Sequence, residues 1–188
     1  MVQLALCKTR FTICAALLRC LMRKSLYVLC LAVLAVPLTL SADMAKSFQD
    51  EIVQRHNTLR AKHSAPALVW SADVAKVAQD WANRIAREDR MHHRQPNKYG
   101  ENIFWISGAA ATGNMVTDSW YSEIKDYNYA HPGFSMKTGH FTQVVWKDSK
   151  EIGCGMATSR RGGHYVVCNY NPPGNYQGRF PANVLKAK

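Results

Sequence analysis

Seven histidines, six cysteines and thirteen carboxylates are the residues of this 188-residue chain with most chemistry to offer. The motifs Gly-x-Ser-x-Gly, His-Glu-x-x-His and Gly-x-x-x-x-Gly-Lys are all missing. That removes the sequence case for a nucleophile elbow, a zincin and a phosphate-binding loop. Gly153-Cys154-Gly155 begins like a nucleotide turn, but it lacks a third glycine and sits in a strand-like run. What remains is a set of polar residues in apolar company. Glu101 precedes the run Ile103-Phe104-Trp105-Ile106. Glu123 follows Trp120 by three positions and Val116 by seven, which places it on the buried stripe of a helix. His140 leads into Phe141, Val144, Val145 and Trp146. A lone buried carboxylate is costly, so Glu123 needs a cationic or hydrogen-bonding partner. Two carboxylates and one or two imidazoles meeting in a cleft would satisfy each other, and the imidazoles could hold a divalent metal such as zinc. Each residue also has a plainer reading. A single histidine among aromatics is more often a hydrogen-bonded structural residue than a ligand. Glu101 could cap local N–H groups, His92 and His93 read as exposed, and His56, His63, His131 and His164 have no stronger claim. Residue types and spacing alone stop at one polar cleft of undetermined function.

The elements that must position these residues are legible from periodicity. Asp50 to His63 reads as a helix, with Phe48, Ile52, His56 and Leu59 at helical spacing and Pro66 beyond its end. Ser71 is the expected N-cap of a second helix. Its stripe is Val74, Val77, Ala78, Trp81, Ala82 and Ile85, with Asp73 in the first turn. A third helix is expected over Thr112 to Ile124, with Val116, Trp120 and Ile124 on one face. Asn102 to Ile106 reads as a strand. Glu151 to Thr158 and His164 to Tyr170 flank Arg161-Gly162-Gly163 as a hairpin. Cys154 and Cys168 would stand on these paired strands, where a cross-strand disulfide is geometrically reasonable. If they pair, the 15-residue loop they close is worth about 3 kcal/mol. Helices on a short, largely antiparallel sheet imply a layered α+β domain.

Composition bounds the rest. At 47% hydrophobic and 20% charged, the chain is too apolar for a disordered tail and suits one domain. No run reaches the roughly 18 consecutive apolar residues of a membrane span. Lys8, Arg10, Arg19, Arg23 and Lys24 stand in residues 1–42, which hold no acidic residue. Removing those five from the chain's 24 basic residues leaves 19 against 13 acidic ones, a mildly basic body. With no long basic run, the charge argues against a nucleic-acid partner; an anionic membrane surface is compatible with it. Arg23-Lys24, the apolar run Leu26 to Leu40 and Ser41-Ala42 before Asp43 have the layout of a secretory signal peptide. The start (Met1, Met22 or Met44) is left open. Cys7, Cys14, Cys20 and Cys30 would leave with the leader, and the even pair Cys154 and Cys168 would remain. The mature protein is therefore expected to be secreted.

Four motifs then fall in order: His56-Asn57-Thr58-Leu59-Arg60, Gly100-Glu101-Asn102-Ile103, Gly139-His140-Phe141-Thr142-Gln143-Val144-Val145-Trp146, and Tyr165 through Tyr176. They resemble the signatures of the CAP superfamily: cysteine-rich secretory proteins, antigen 5 and pathogenesis-related 1 proteins. Ser119 through Lys125 and Pro132-Gly133-Phe134 look most like its Golgi-associated branch. That branch is myristoylated, whereas Ala45 follows Met44 here. The resemblance covers residues 46–185 and implies a three-layer α-β-α sandwich with a central cleft lined by two His and two Glu. Carried over, these are His140, Glu101, Glu123 and, ahead of the Gly-Glu-Asn motif, His93 in preference to His92. It further implies zinc as a candidate cofactor on His93 and His140, with Glu101 and Glu123 holding the rings. The partners it implies are a sterol or fatty acid or an extracellular receptor, with no catalytic residue required. Tyr127, Tyr129 and Phe134, around Pro132-Gly133, form an aromatic loop that either admits an acyl chain or packs onto the core. The competing class is a hydrolase using His93 or His140 as base, or a zinc-bound water. It lacks a positioned nucleophile and a clear third metal ligand. Oligomeric state is not legible.

Overall fold

The computed structural model describes residue 43 and residues 45–188; the expected leader, its four cysteines and the choice of start lie outside the described residues. Residues Ser47–Lys188 form one compact unit. In chain order its elements are a helix over 47–62 (α1), Val69–Trp70 (β1), Ala72–Glu88 (α2), Gly100–Ile106 (β2) and Gly113–Tyr121 (α3). A 3-10 turn over Ser122–Asp126 follows, then Gly139–Val144 (α4), Glu151–Thr158 (β3), His164–Asn171 (β4) and Phe180–Asn183 (α5). The sheet runs β1-β3-β4-β2. β1 lies parallel to β3 over two residues, and the other pairs are antiparallel. Cys154 faces Cys168 across β3 and β4, and the two are disulfide-bonded.

Alternation along β4 explains why the sheet is covered on both sides. Val166, Cys168 and Tyr170 join one core with Ile52, Val116, Trp120, Phe141, Val145 and Trp146, from α1, α3 and α4 with the residues that follow it. Tyr165 and Val167 join another with Ala78, Trp81, Ala82 and Ile85 of α2. This is the three-layer α-β-α arrangement. Each large side chain so buried contributes about 1.5–3 kcal/mol. Gly153 and Gly155 let α2 sit directly on β3. A Cβ at either would fall onto the α2 backbone, at Ala75 and at Gln79 respectively. The Gly-Cys-Gly run is thus a close-packing device.

The expected helices differ from the structure at their ends. Helix already runs through residues 47–49, ahead of the expected Asp50. Ser71 is the N-cap of α2, but its side chain makes no capping bond. Its backbone instead continues the β1–β3 ladder, donating to the Ile152 carbonyl at 2.9 Å. Val77 is only partly buried. Thr112 caps α3 by accepting from the Met115 N–H at 3.2 Å. α3 does not continue to Ile124: it ends at Tyr121 and tightens into the 3-10 turn. Glu123 therefore leaves the helical stripe, and its side chain is 22% exposed.

Candidate functional site

Glu123 reaches the start of α4 from the 3-10 turn. Oε2 accepts from the backbone N–H groups of His140 (3.0 Å) and Phe141 (3.1 Å), and Oε1 lies 2.7 Å from Nδ1 of the His140 ring. Thr138, the N-cap of α4, makes no side-chain capping bond, so Glu123 takes over that role from another element. An ionised carboxylate only accepts, so Nδ1 of His140 is the donor, and Nε2 is the ring nitrogen that Glu123 leaves free. Trp120 stacks along this ring, centroids 6.3 Å apart and planes 15° apart.

The second pair repeats the logic with different surroundings. Glu101 Oε1 accepts from Nδ1 of His93 at 2.7 Å and from the Arg94 N–H at 3.1 Å, while Oε2 accepts from the Asn97 amide at 3.2 Å. The Glu101 side chain is 5% exposed and that of His93 is 55% exposed, so the buried acid holds an open imidazole. Its neighbour His92 is drawn elsewhere. Its Nε2 lies 2.7 Å from Glu88 Oε2, its ring packs edge-on against Trp81, and its carbonyl accepts from the Trp81 indole at 3.0 Å. Arg94 is tied back too, donating to Asp80 at 3.0 Å and lying over the Trp81 ring.

β2 joins the two halves. Ile103 packs with the α2 core and Phe104 against the other one, so Glu101 and Asn102 also point to opposite faces. Asn102 donates to the His140 carbonyl at 3.1 Å and to the Tyr170 hydroxyl at 3.3 Å. Tyr170 in turn donates to Nε2 of His56 at 2.9 Å, whose Nδ1–H donates to the Ile52 carbonyl at 2.8 Å. Burial, then the Arg60 charge, pushes His56 down to about 3, against a raising pull from that carbonyl. Between the halves lies an open cleft of about 290 Å³, lined by His93, Glu101, Asn102, Phe134, Met136 and His140 among others. His140 lines the cleft; Glu123, which holds it, does not.

Residues 53–170, which hold His93, Glu101, Glu123 and His140, match the model of the CAP, or cysteine-rich secretory protein, family. The chain belongs to the CAP family. It is 40% identical over 149 residues to the human Golgi-associated plant pathogenesis-related protein 1, covering 77% of this chain and 96% of that one. It is also 36% identical over 142 residues to the PR-1 type pathogenesis-related protein of Sambucus nigra, covering 73% and 84%. Among solved structures, NaASP2 with Zn2+ superposes with a TM-score of 0.62 at 22% identity, covering 77% of this chain and 88% of that one. That likeness supports the α-β-α fold.

Within this CAP domain the aromatic loop divides. Tyr127 is buried against Phe141, with ring centroids 5.5 Å apart, and Tyr129 stacks edge-on over Tyr127 at 4.8 Å. Both pack onto the core, because the turn after Asp126 folds back over α4; only Phe134 stays open, at the cleft rim. Asn175, at φ 61°, also lines the cleft and clamps α4, donating to the Gly139 carbonyl at 2.9 Å and accepting from Thr142 Oγ1 at 2.6 Å. Asn102 and Asn175 lie inside the motifs quoted from the sequence, which was their available signal; Asn97 and Met136 carried none. Among the described residues, no three His, Cys, Asp or Glu side chains gather as a metal site. His131 and His164 stand apart from the cleft lining.

Proposed function

We propose that this CAP protein is a secreted binding module that performs no turnover, and that its cleft takes an amphipathic lipid, a sterol or a fatty acid. One observation carries the reading. Two imidazoles, each fixed at Nδ1 by a carboxylate, share a cleft with the exposed side chains of Phe134 and Met136. A volume of about 290 Å³ is at the small end of ligand clefts. It suits the polar end of such a molecule, with the apolar remainder lying across Phe134 and Met136. The Cys154–Cys168 bond and the leader-like N-terminus support an oxidising, extracellular compartment.

The two imidazoles are the donors that zinc would use in this cleft, with the remaining positions left to water or ligand. His93 and His140 would hold it through Nε2, Glu101 and Glu123 would keep the rings oriented, and the ion would supply a Lewis-acidic anchor for an oxygen of the ligand. NaASP2, solved with Zn2+, shares the fold. Binding of radiolabelled cholesterol and palmitate to the purified protein tests the lipid reading. Saturable binding, weakened when Phe134 and Met136 are both changed to Ser, supports it, and no saturable binding of either removes it. The hydrolase reading draws on one observation, that Glu123–His140 has the geometry of an oriented base. Any activity should vanish in both His140→Ala and Glu123→Ala; activity surviving both assigns it to another site.

A further inference from the structure

We infer that the groove between α2 and the end of β3 is a second binding site, which takes the sulfate groups of a sulfated glycosaminoglycan on the guanidinium groups of Arg87 and Arg160. The groove encloses about 360 Å³ and is lined by Asn83, Ala86, Arg87, Ala157, Thr158 and Arg160, none of which lines the cleft of His93 and His140. Its shape has a local cause. Gly155 lets α2 lie directly on β3 at Gln79. The Gln79 amide then closes on the strand edge, donating to the Met156 carbonyl at 2.9 Å and accepting from the Met156 N–H at 3.0 Å. Further along, the helix and the strand bring only Ala86 and Ala157 to the floor, and neither is large enough to fill it. Arg87 comes from the last turn of α2 and Arg160 from the turn that follows β3.

Both of these arginines are exposed and lack a counter-charge. Around them Arg84 pairs with Glu88, Arg94 with Asp80 and Arg161 with Asp89. Glu88 is held by His92 as well, and Asp89 accepts from the Tyr165 hydroxyl. No carboxylate lines the groove, and among the described residues neither Arg87 nor Arg160 has an ion pair. Two further donors belong to the lining. Asn83 Oδ1 accepts from Gln79 at 2.9 Å, which leaves its NH2 group to donate. Met156 meets Gln79 through its backbone rather than β4. The alternation of an antiparallel pair therefore turns the Thr158 N–H, two residues on, away from β4 too. Two planar forks, an amide and a backbone N–H, with no negative charge opposed to them, match a tetrahedral oxyanion. The lining also selects the source of that anion. Docking on a lipid surface needs an apolar side chain to insert, and the groove offers only two alanines. A sulfated glycan brings oxyanions on a polar chain and is met outside the cell. Only that choice of source rests on the secreted location proposed above.

The test is calorimetric titration of the purified protein with a heparin hexasaccharide, beside sedimentation with phosphatidylserine-containing vesicles. It compares the wild type with the double variant Arg87→Gln/Arg160→Gln. A second double variant, Arg55→Gln/Arg179→Gln, removes the same net charge from residues paired with Asp118 and Asp148, outside the groove. The groove variant is expected to bind the hexasaccharide about tenfold or more weakly, and the charge-matched variant to stay within about threefold of the wild type. Desulfated hexasaccharide should bind the wild type as weakly as the sulfated one binds the groove variant. Equal weakening in the two double variants would mean diffuse attraction to a basic surface and overturns the inference. A wild type that does not bind the hexasaccharide overturns it, and so does a groove variant that loses the vesicles but keeps the hexasaccharide. Cholesterol and palmitate binding should survive the groove substitutions, so the groove and the cleft can each fail alone.

Discussion

Lowering the pH from 7 towards 4.5 should destabilise the domain chiefly by charging His56 in the unfolded chain. In the fold this ring is fully buried, between the Ile52 carbonyl and the Tyr170 hydroxyl. Its pKa there is about 3, against an ordinary 6.5, with burial the leading cause and Arg60 adding to it. Because the folded value is the lower one, the unfolded chain takes up the proton first. The contribution to stability is therefore complete above pH 6.5 and is lost as the pH falls towards 3. The slope is about 1.4 kcal/mol per pH unit, which gives about 2 kcal/mol lost at pH 5. That is a large share of the 5–15 kcal/mol typical of a domain. His63, also buried and shifted down by burial, acts in the same direction, so the comparison must isolate His56. Urea unfolding of the wild type and His56→Gln at half-unit steps of pH does so. His56→Gln should be less stable at pH 7 and should lose stability more slowly between pH 6.5 and 5. Carboxylates and His63 titrate in both proteins and cancel. Parallel slopes in that window would refute the reasoning.

Gly153→Ala places a methyl group against the Ala75 backbone and should destabilise by about 1–3 kcal/mol, read as a lower urea midpoint; an unchanged midpoint would mean that α2 can move away freely. Changing Cys154 and Cys168 together to Ser reopens the 15-residue loop and should cost about 3 kcal/mol, measured by thermal or urea unfolding without reductant. Glu123→Ala strips the acceptor from the His140 and Phe141 N–H groups and should cost about 1–2 kcal/mol. Hydrogen exchange of those two amides should speed up more than that of β4 amides, and equal changes across the domain would contradict a local role.

What the sequence made legible was what periodicity controls. The stripe of α2, the β3–β4 hairpin and its facing cysteines follow from spacings of 3.6 and 2. What it hid was set by contacts between distant residues. Tyr121 ends α3 because the next turn tightens to carry Glu123 towards α4, 17 residues on. Nothing local marks that change. Arg60 is a cation on α1, yet it is buried and donates to the carbonyls of Pro66, Val144, Trp146 and Ser149. His92 and His93 are neighbours of one type, and only Glu88 on one side and Glu101 on the other separate their roles.

The same reasoning explains why one short strand can hold both walls of the cleft. Glu101 and Asn102 are consecutive, so the pleat sends one towards His93 and the other towards the carbonyl of His140. A slip of one residue in β2 would exchange them, putting a carboxylate beside buried Tyr170 and an amide beside the His93 ring. The register is pinned against such a slip by seven facing pairs with β4 and by the Trp120 indole, which donates to the Ile103 carbonyl at 3.2 Å. Trp120 also lies along the His140 ring. The placement of each imidazole is thus tied to the same stretch of backbone, and a disturbance of β2 would reach both together.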